Sequence, residues 1–201
     1  MGLKPQGEAV AINSFEEIDP TINNDLKSKF YQFLNVGPFS LISPPPEFPD
    51  TSGCLPWLDR QKPASVAYLR FGSVSRLSPN EIVAVAEALE ASKVSFIWSL
   101  KKNLQAHLPK KKLNGIVVEW VPQLDILAHN AAGVFINHDE WEIGVSVEGG
   151  IITKNELLRS LDLILWQENG KKMRENARKF KQLAEKAIGP TGISTENFKH
   201  W

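Results

Sequence analysis

Short apolar runs alternate with amphipathic segments through the middle of the chain. Runs at 66–71 and 94–100, rich in β-branched and aromatic residues, are typical of buried strands. Between them, residues 78–81 (Ser-Pro-Asn-Glu) predict a helix start, since they place a serine N-cap before a proline and a glutamate at the third position. Strands that alternate with helices at this spacing predict an α/β fold with a parallel sheet and right-handed crossovers.

The stretch from Gly115 to His138 continues this alternation and organises the rest of the chain. It predicts a buried strand at 116–118, a turn, a short helix at 124–129 and a second buried strand at 134–136. The turn carries an aromatic and an amide, and a histidine follows the second strand. These side chains can converge where the carboxyl ends of the strands meet, which is where open α/β sheets bind their ligands.

The N-terminal part has a less regular pattern. Residues 9–12 predict a strand, and Ser14 with Glu17 predicts a capping box for a following helix. Pro20 is expected to interrupt that helix, and the amphipathic residues 24–34 predict its continuation.

Two connecting segments follow. Residues 36–39 predict a short extended piece, and the proline-rich residues 43–53 predict a stiff surface connector. We interpret this connector as a link between structured elements, in preference to a recognition tail. It sets the predicted division into an interdomain segment at 1–53 and a domain at 54–201.

The alternation fails after His138. Residues 143–147 predict a strand with a turn at 148–150, and a capping box at Thr153 and Glu156 predicts a helix to about residue 167. A long helix is predicted at 171–188, and Ser194 is expected to cap a last helical piece.

Composition narrows the functional classes. Lys and Arg number 23, as do Asp and Glu, so the net charge is zero and favours neither a nucleic-acid nor a membrane partner. One cysteine excludes an internal disulfide and suits a reducing compartment. No signal peptide or membrane span is apparent, and a cytoplasmic location is expected. G-x-G-x-x-G, Walker A, C-x-x-C and H-E-x-x-H motifs are absent, so no metal site or bound cofactor is predicted.

The spacing W-x-P-Q-x-x-I-L-x-H-x-x-x-G-x-F-x-x-H between Trp120 and His138 resembles the first half of the donor-sugar signature of plant UDP-dependent glycosyltransferases (glycosyltransferase family 1). Further matching residues are Phe15-Glu16-Glu17, Cys54-Leu55, Trp57-Leu58, Tyr68, Phe71-Gly72-Ser73, Glu87-Ala88-Leu89-Glu90, Phe96-Ile97-Trp98, Gly144-Val145 and Ser194-Thr195-Glu196-Asn197-Phe198. They look most similar to flavonoid and anthocyanidin 3-O-glucosyltransferases, over the C-terminal half only.

This resemblance implies a Rossmann-like parallel sheet, the C-terminal domain of a GT-B glycosyltransferase. In the family, that domain holds the UDP-sugar, and an N-terminal domain supplies the acceptor site and the catalytic histidine with its aspartate partner. The family activity is transfer of glucose from UDP-glucose to the 3-hydroxyl of a flavonoid. UDP-glucose is therefore the expected donor substrate, with no further cofactor.

The resemblance also implies roles for residues that bind the nucleoside. Trp120 matches the tryptophan that stacks on uracil, and an indole offers a flat π-face for a base. Val121 would contribute backbone groups to the uracil edge. Gln123 matches a glutamine beside the nucleoside, where an amide can both donate and accept. The alternatives are a Trp120 that caps the strand as part of the core and a Gln123 that caps a helix.

Two more residues match positions near the phosphates. His138 matches the histidine that contacts the diphosphate, although Asp139 and Glu140 follow it where the family has a helix N-terminus, and these carboxylates would repel a diphosphate. Ser73 matches a hydroxyl near the phosphate or sugar, and Gly72 before it permits close backbone approach. His129 matches a position inside the signature helix, where a structural role is favoured.

The match is interrupted after His138. The expected C-G-W-N-S, the glutamate that binds ribose and the D-Q pair that holds the sugar are absent, which indicates an internal deletion between residues 138 and 139 and an incomplete domain. No residue matches the family's catalytic histidine. We therefore expect a polypeptide that is inactive alone and can use a flavonoid acceptor only if a complete N-terminal domain is supplied. The alternative is a non-catalytic fragment or pseudoenzyme with weak or no UDP binding. Loss of a strand would also expose the sheet and favour self-association.

Overall fold

Two structural units contain the described part of the chain. The computed structural model describes residues 9–43, 48–71, 77–111, 113–137 and 151–200. One unit comprises Met1–Pro46 with Glu175–Trp201, and the other comprises Glu47–Arg174.

A four-stranded sheet forms the centre of the second unit. Its strands are β3 (Val66–Arg70), β4 (Ser95–Ser99), β5 (Gly115–Val118) and β6 (Ala132–Ile136). They lie in the order β5-β4-β3-β6, and every pair is parallel, which confirms the predicted parallel α/β sheet. Because the chain crosses from β5 back to the far side of β3, the strand order changes direction between β3 and β6.

Helices cover both faces of this sheet. The helices of this unit are α3 (Cys54–Leu58), α4 (Pro79–Ser92), α5 (Lys102–Gln105), α6 (Gln123–Ala128) and α7 (Lys154–Trp166). Successive side chains of a strand point to opposite faces. Thus Val66 and Tyr68 pack with α3 and α6, whereas Ala67 and Leu69 pack with α4 and α7. Ile82, Val85, Ala86 and Leu89 of α4 are buried in the cluster that contains Ala67 and Leu69.

Side chains cap the two longest helices that lie wholly within this unit. Ser78 Oγ accepts from the Glu81 N–H at 3.3 Å, and the Glu81 carboxylate accepts from the Ser78 N–H at 2.9 Å. Thr153 and Glu156 form the same reciprocal pair at α7. The capping boxes predicted at Ser78 and at Thr153 are therefore confirmed.

The first unit joins the two ends of the chain. Its strands β1 (Val10–Ile12) and β2 (Phe33–Asn35) pair in parallel, and its helices are α1 (Pro20–Lys29), α2 (Phe39–Ile42), the last part of α8 (Glu168–Ala187) and α9 (Ile193–Lys199). Phe15 packs against α8, and Asn197 Nδ2 donates to the Asn35 carbonyl at 2.9 Å. These contacts group the C-terminal helices with the N-terminal residues, which differs from the predicted division at residue 53.

The predicted start of the first helix was wrong. A short 3₁₀ turn occupies Glu16–Ile18, and its N-cap Phe15 makes no side-chain capping bond, so Ser14 and Glu17 form no capping box there. Pro20 begins α1, and Asp19 Oδ1 accepts from the Ile22 N–H at 2.9 Å. Proline suits this position because the N–H that it lacks would have no partner in the first helical turn.

The predicted helix at 24–34 was too long, because the chain leaves the helix after Lys29 and residues 33–35 pair with β1. Phe39 starts α2 instead of ending an extended piece. Ser194 lies buried in the first turn of α9, where Gly192 is the N-cap, so the predicted serine cap was also wrong. The predicted strand at 143–147 and its turn, together with residues 44–47 of the connector, lie outside the described residues.

Candidate functional site

The carboxyl ends of the four parallel strands form one edge of the sheet. Arg70 ends β3, Ser99 ends β4, and Ile136 ends β6, while Trp120 follows β5 by two residues. Leu69 pairs with Ile136, so the ends of β3 and β6 are direct neighbours. The order of the strands reverses between them, and a crevice for a ligand is expected at such a point in open α/β sheets.

Trp120 lies at this edge with its ring partly in solvent. The residue is 43% exposed, so it does not belong to the interior of the sheet unit. The hydroxyl of Ser52 donates to the Trp120 carbonyl at 2.9 Å. The ring of Phe48 meets the indole edge-on, with ring centres 5.7 Å apart and planes at 74°. The segment that contains Phe48 and Ser52 thus holds Trp120 in place while part of the indole stays accessible.

Val121 and Gln123 follow Trp120 with different environments. The Val121 side chain is buried among the apolar residues of α3 and α6, so only its backbone groups are suited to a ligand. Gln123 is the first residue of α6, and Pro122 is the N-cap, which removes the helix-cap alternative for Gln123. The Gln123 Oε1 accepts a hydrogen bond from Arg70 Nη1.

Ser73 and His138 lie outside the described residues. The structure therefore brings together Trp120, Val121 and Gln123, and their assignment to a nucleotide site stays a prediction.

Arg70, Phe48 and Ser52 are residues of this edge that were not predicted from the sequence. Arg70 had a usable signal, because it falls near the end of a predicted strand and its alternation with Tyr68 places both on the same face. Phe48 and Ser52 lie in the proline-rich connector, which has no periodicity, so their contacts with Trp120 could not be read locally.

Tyr68 lies on the same sheet face as Arg70 and is fully buried. Its ring stacks on that of Phe135, with centres 5.1 Å apart. Burial raises the pKa of the Tyr68 hydroxyl, and the neighbouring Arg70 guanidinium partly opposes this rise. The hydroxyl is thus neutral, and it lies two residues before the end of β3.

Cys54 carries no nucleophilic chemistry. Burial, and to a smaller extent the negative charge of Asp50, raise the pKa of the Cys54 thiol to about 11. A thiol with this pKa remains protonated near neutral pH, and the thiolate is the reactive form. Cys54 is thus a packing residue at the start of α3.

His129 has a structural environment, as favoured from its position in the signature helix. Its Nε2 lies 3.2 Å from Asp59 Oδ1, and its Nδ1 accepts from the Ala131 N–H at 3.1 Å. These contacts lie between the end of α6 and the start of β6, at the amino edge of the sheet. The ring is therefore remote from the edge where Trp120 lies.

The described residues contain no group of three or more His, Cys, Asp or Glu side chains that could hold a metal ion. Across the same residues, no helix combines the length and the apolar character required to cross a membrane.

The fold is shared with GT-B glycosyltransferases. The crystal structure of a UDP-glucose:anthocyanidin 3-O-glucosyltransferase in complex with UDP matches with a TM-score of 0.90 and 39% sequence identity, over 98% of this chain and 53% of that chain. A parallel α/β architecture of this class is therefore the framework that carries Trp120 and Gln123.

Sequence comparison gives the family. The sequence model of the family described as UDP-glucoronosyl and UDP-glucosyl transferase matches residues 53–152. Anthocyanidin 3-O-glucosyltransferase 7 of Manihot esculenta is 48% identical over 234 residues, covering 98% of this chain and 82% of that protein. Anthocyanidin 3-O-glucosyltransferase UFGT of Vitis vinifera is 46% identical, covering 96% of this chain and 51% of that protein. The chain belongs to this family of UDP-sugar transferases, and it spans about half the length of the Vitis relative and of the solved structure.

Proposed function

We propose that this chain is a UDP-glycosyltransferase polypeptide of the flavonoid 3-O-glucosyltransferase type, which supplies the nucleotide side of the donor site. The observation that carries this proposal is the partly exposed indole of Trp120, three residues before Gln123, at the carboxyl edge of a parallel sheet. The relatives named above for anthocyanidin 3-O-glucosylation support it. The full reaction is transfer of glucose from UDP-glucose to a flavonoid 3-hydroxyl.

The physical basis of donor recognition is one flat ring and one amide. A uracil stacked on the exposed face of Trp120 gains roughly 1–3 kcal/mol. The Gln123 Oε1 already accepts from Arg70, which leaves the amide NH₂ to donate to a nucleoside oxygen. Backbone groups of Val121 are proposed to complete recognition of the uracil edge, with Ser73 and His138 on the phosphate side.

Sugar transfer needs a base, and we propose that the described part of this chain supplies none, since none of its histidines matches the family's catalytic histidine. In the inverting reaction, a histidine takes the proton of the acceptor hydroxyl, the freed oxygen attacks the anomeric carbon, and the bond from that carbon to UDP breaks. His129 is engaged with Asp59 at the opposite edge of the sheet. We propose that the isolated chain transfers no sugar, and that a flavonoid is used only when a complete N-terminal domain is supplied.

Product analysis tests this absence of turnover. Purified protein is incubated with UDP-glucose and a flavonol, and glucoside is measured by chromatography against a heat-inactivated sample. We expect equal traces in both. Glucoside above the inactivated sample that disappears in a Trp120→Leu variant would refute inactivity while supporting the donor site.

A second candidate is a non-catalytic fragment that binds UDP weakly or not at all. The alignment with the Manihot relative extends over 234 residues although this chain has 201, which supports the proposal that internal residues of the relative have no counterpart here. Calorimetric titration with UDP separates the two candidates. A micromolar dissociation constant supports a retained nucleotide site, and absence of any heat of binding supports the fragment.

The open side of the sheet supports proposed self-association. Among the described strands, β6 is the last on its side and pairs only with β3. A strand edge without a neighbour exposes N–H and C=O groups that can pair with a second chain. Sedimentation velocity over a range of concentrations tests this, and a concentration-independent monomer would refute it. The single cysteine supports a proposed cytoplasmic location, because it suits a reducing compartment.

A further inference from the structure

We propose that Arg70 is a binding residue for the diphosphate of the nucleotide and holds Gln123 in its binding orientation. The proposal rests on the function proposed above. Arg70 is the exposed last residue of β3. The order of the strands in the sheet reverses between β3 and β6. A cation at that crevice meets the part of a nucleotide that carries negative charge.

The spacing of the strands places Arg70 on the phosphate side of the base. Neighbouring strands lie about 4.8 Å apart, so the end of β5 is about 10 Å from the end of β3 and about 14 Å from the end of β6. A nucleotide whose base stacks on Trp120 after β5 and extends along this edge first passes β4 and then reaches β3. Its diphosphate follows its ribose and is therefore carried toward Arg70.

The guanidinium has the donors that both roles require. Arg70 Nη1 donates to Gln123 Oε1, which leaves the Gln123 NH₂ as the donor for a ligand. A guanidinium has five N–H donors and stays charged at all relevant pH values, so several donors remain for phosphate oxygens. Charge-assisted bonds from arginine to phosphate are short and strong, and often form in pairs.

The charge of Arg70 is not neutralised by a carboxylate in the part of the chain that the structure describes. The ion pairs found there use other residues, and none includes Arg70. Gln123 and the Tyr68 hydroxyl, which interact with its side chain, are both neutral. The positive charge is thus available to an anionic ligand.

Calorimetry of the complete 201-residue chain with uridine and with UDP separates the base from the diphosphate. Arg70→Gln removes the charge, and Arg70→Lys retains it. Arg60→Gln is the matched control, because Arg60 is exposed and lies in the segment that leads to the amino end of β3. We expect Arg70→Gln to weaken UDP binding by about tenfold or more. Uridine binding should fall by a smaller factor, because uridine loses only the orientation of Gln123 and has no diphosphate to lose contact with the charge. Arg70→Lys should retain most of the affinity for UDP, and Arg60→Gln all of it.

The possible results are distinct. UDP binding that is unchanged in Arg70→Gln, or uridine and UDP binding that fall by the same factor, would overturn the diphosphate role while the proposed function stands. An equal loss in Arg60→Gln would overturn it too, because the effect would then be one of overall charge. If the unmodified chain binds neither uridine nor UDP, the proposed function fails, and the role of Arg70 fails with it.

Discussion

Replacement of Trp120 by leucine isolates the contribution of the flat ring to nucleotide binding. The indole is 43% exposed, and its contact with Phe48 is edge-on, so part of the ring remains for a base. Stacking of a base on an aromatic side chain contributes roughly 1–3 kcal/mol, which corresponds to about 5- to 150-fold in affinity. We therefore expect Trp120→Leu to weaken UDP binding within this range, since leucine keeps apolar packing but has no π-face.

Trp166→Leu is the matched control. Trp166 is the last residue of α7 and is 69% exposed, so the same substitution removes an accessible indole that no proposed ligand contacts. Titration calorimetry measures the affinities, and quenching of tryptophan fluorescence by UDP gives a second readout that should disappear only in Trp120→Leu. Thermal unfolding of both variants checks that each is folded. Equal UDP affinity in the two variants, with quenching retained in Trp120→Leu, would show that the indole is not a stacking surface.

Three further predictions follow from the contacts around the sheet. Phe48→Ala removes an aromatic contact worth about 0.5–1.5 kcal/mol and should weaken UDP binding by up to about tenfold. Phe48→Tyr keeps the ring and should bind UDP normally. Calorimetry compares the two variants, and unchanged UDP affinity in Phe48→Ala would contradict a supporting role for Phe48. Ser78→Ala removes the side-chain cap of α4 and should lower the free energy of unfolding by about 1 kcal/mol, as measured by denaturant titration. UDP affinity should not change. An unchanged free energy of unfolding would contradict the capping role of Ser78. Cys54 should resist a thiol reagent at pH 8 until denaturant is added. The pKa of the Cys54 thiol in the folded chain, about 11, lies above the ordinary value of 9.0, so the contribution of the protonated thiol to stability is complete below pH 9 and is lost as the pH rises toward 11. Cys54→Ala should remove this pH dependence of the free energy of unfolding. Rapid labelling of the folded chain would refute the burial of the thiol.

Elements with strong local signals were predicted well from the sequence. The capping boxes at Ser78 and Thr153 each need only four consecutive residues, and the structure has both. The four sheet strands agree with their apolar runs, because β-branched and aromatic residues in such runs pack well on a sheet that is buried on both faces.

By itself, the sequence determined the parallel α/β class and placed Trp120 and Gln123 in the turn between a strand and the following short helix. The tertiary structure alone decided which distant residues meet there. Residues 33 and 34 belong to the predicted helix at 24–34 but form part of β2, because β1 offers them a partner. Arg70 reaches Gln123 across 53 positions of the sequence, and Phe48 reaches Trp120 from a connector without periodicity. Such contacts depend on strand order and loop path, which bring together residues far apart in the chain, and no local pattern of apolar and polar residues records them.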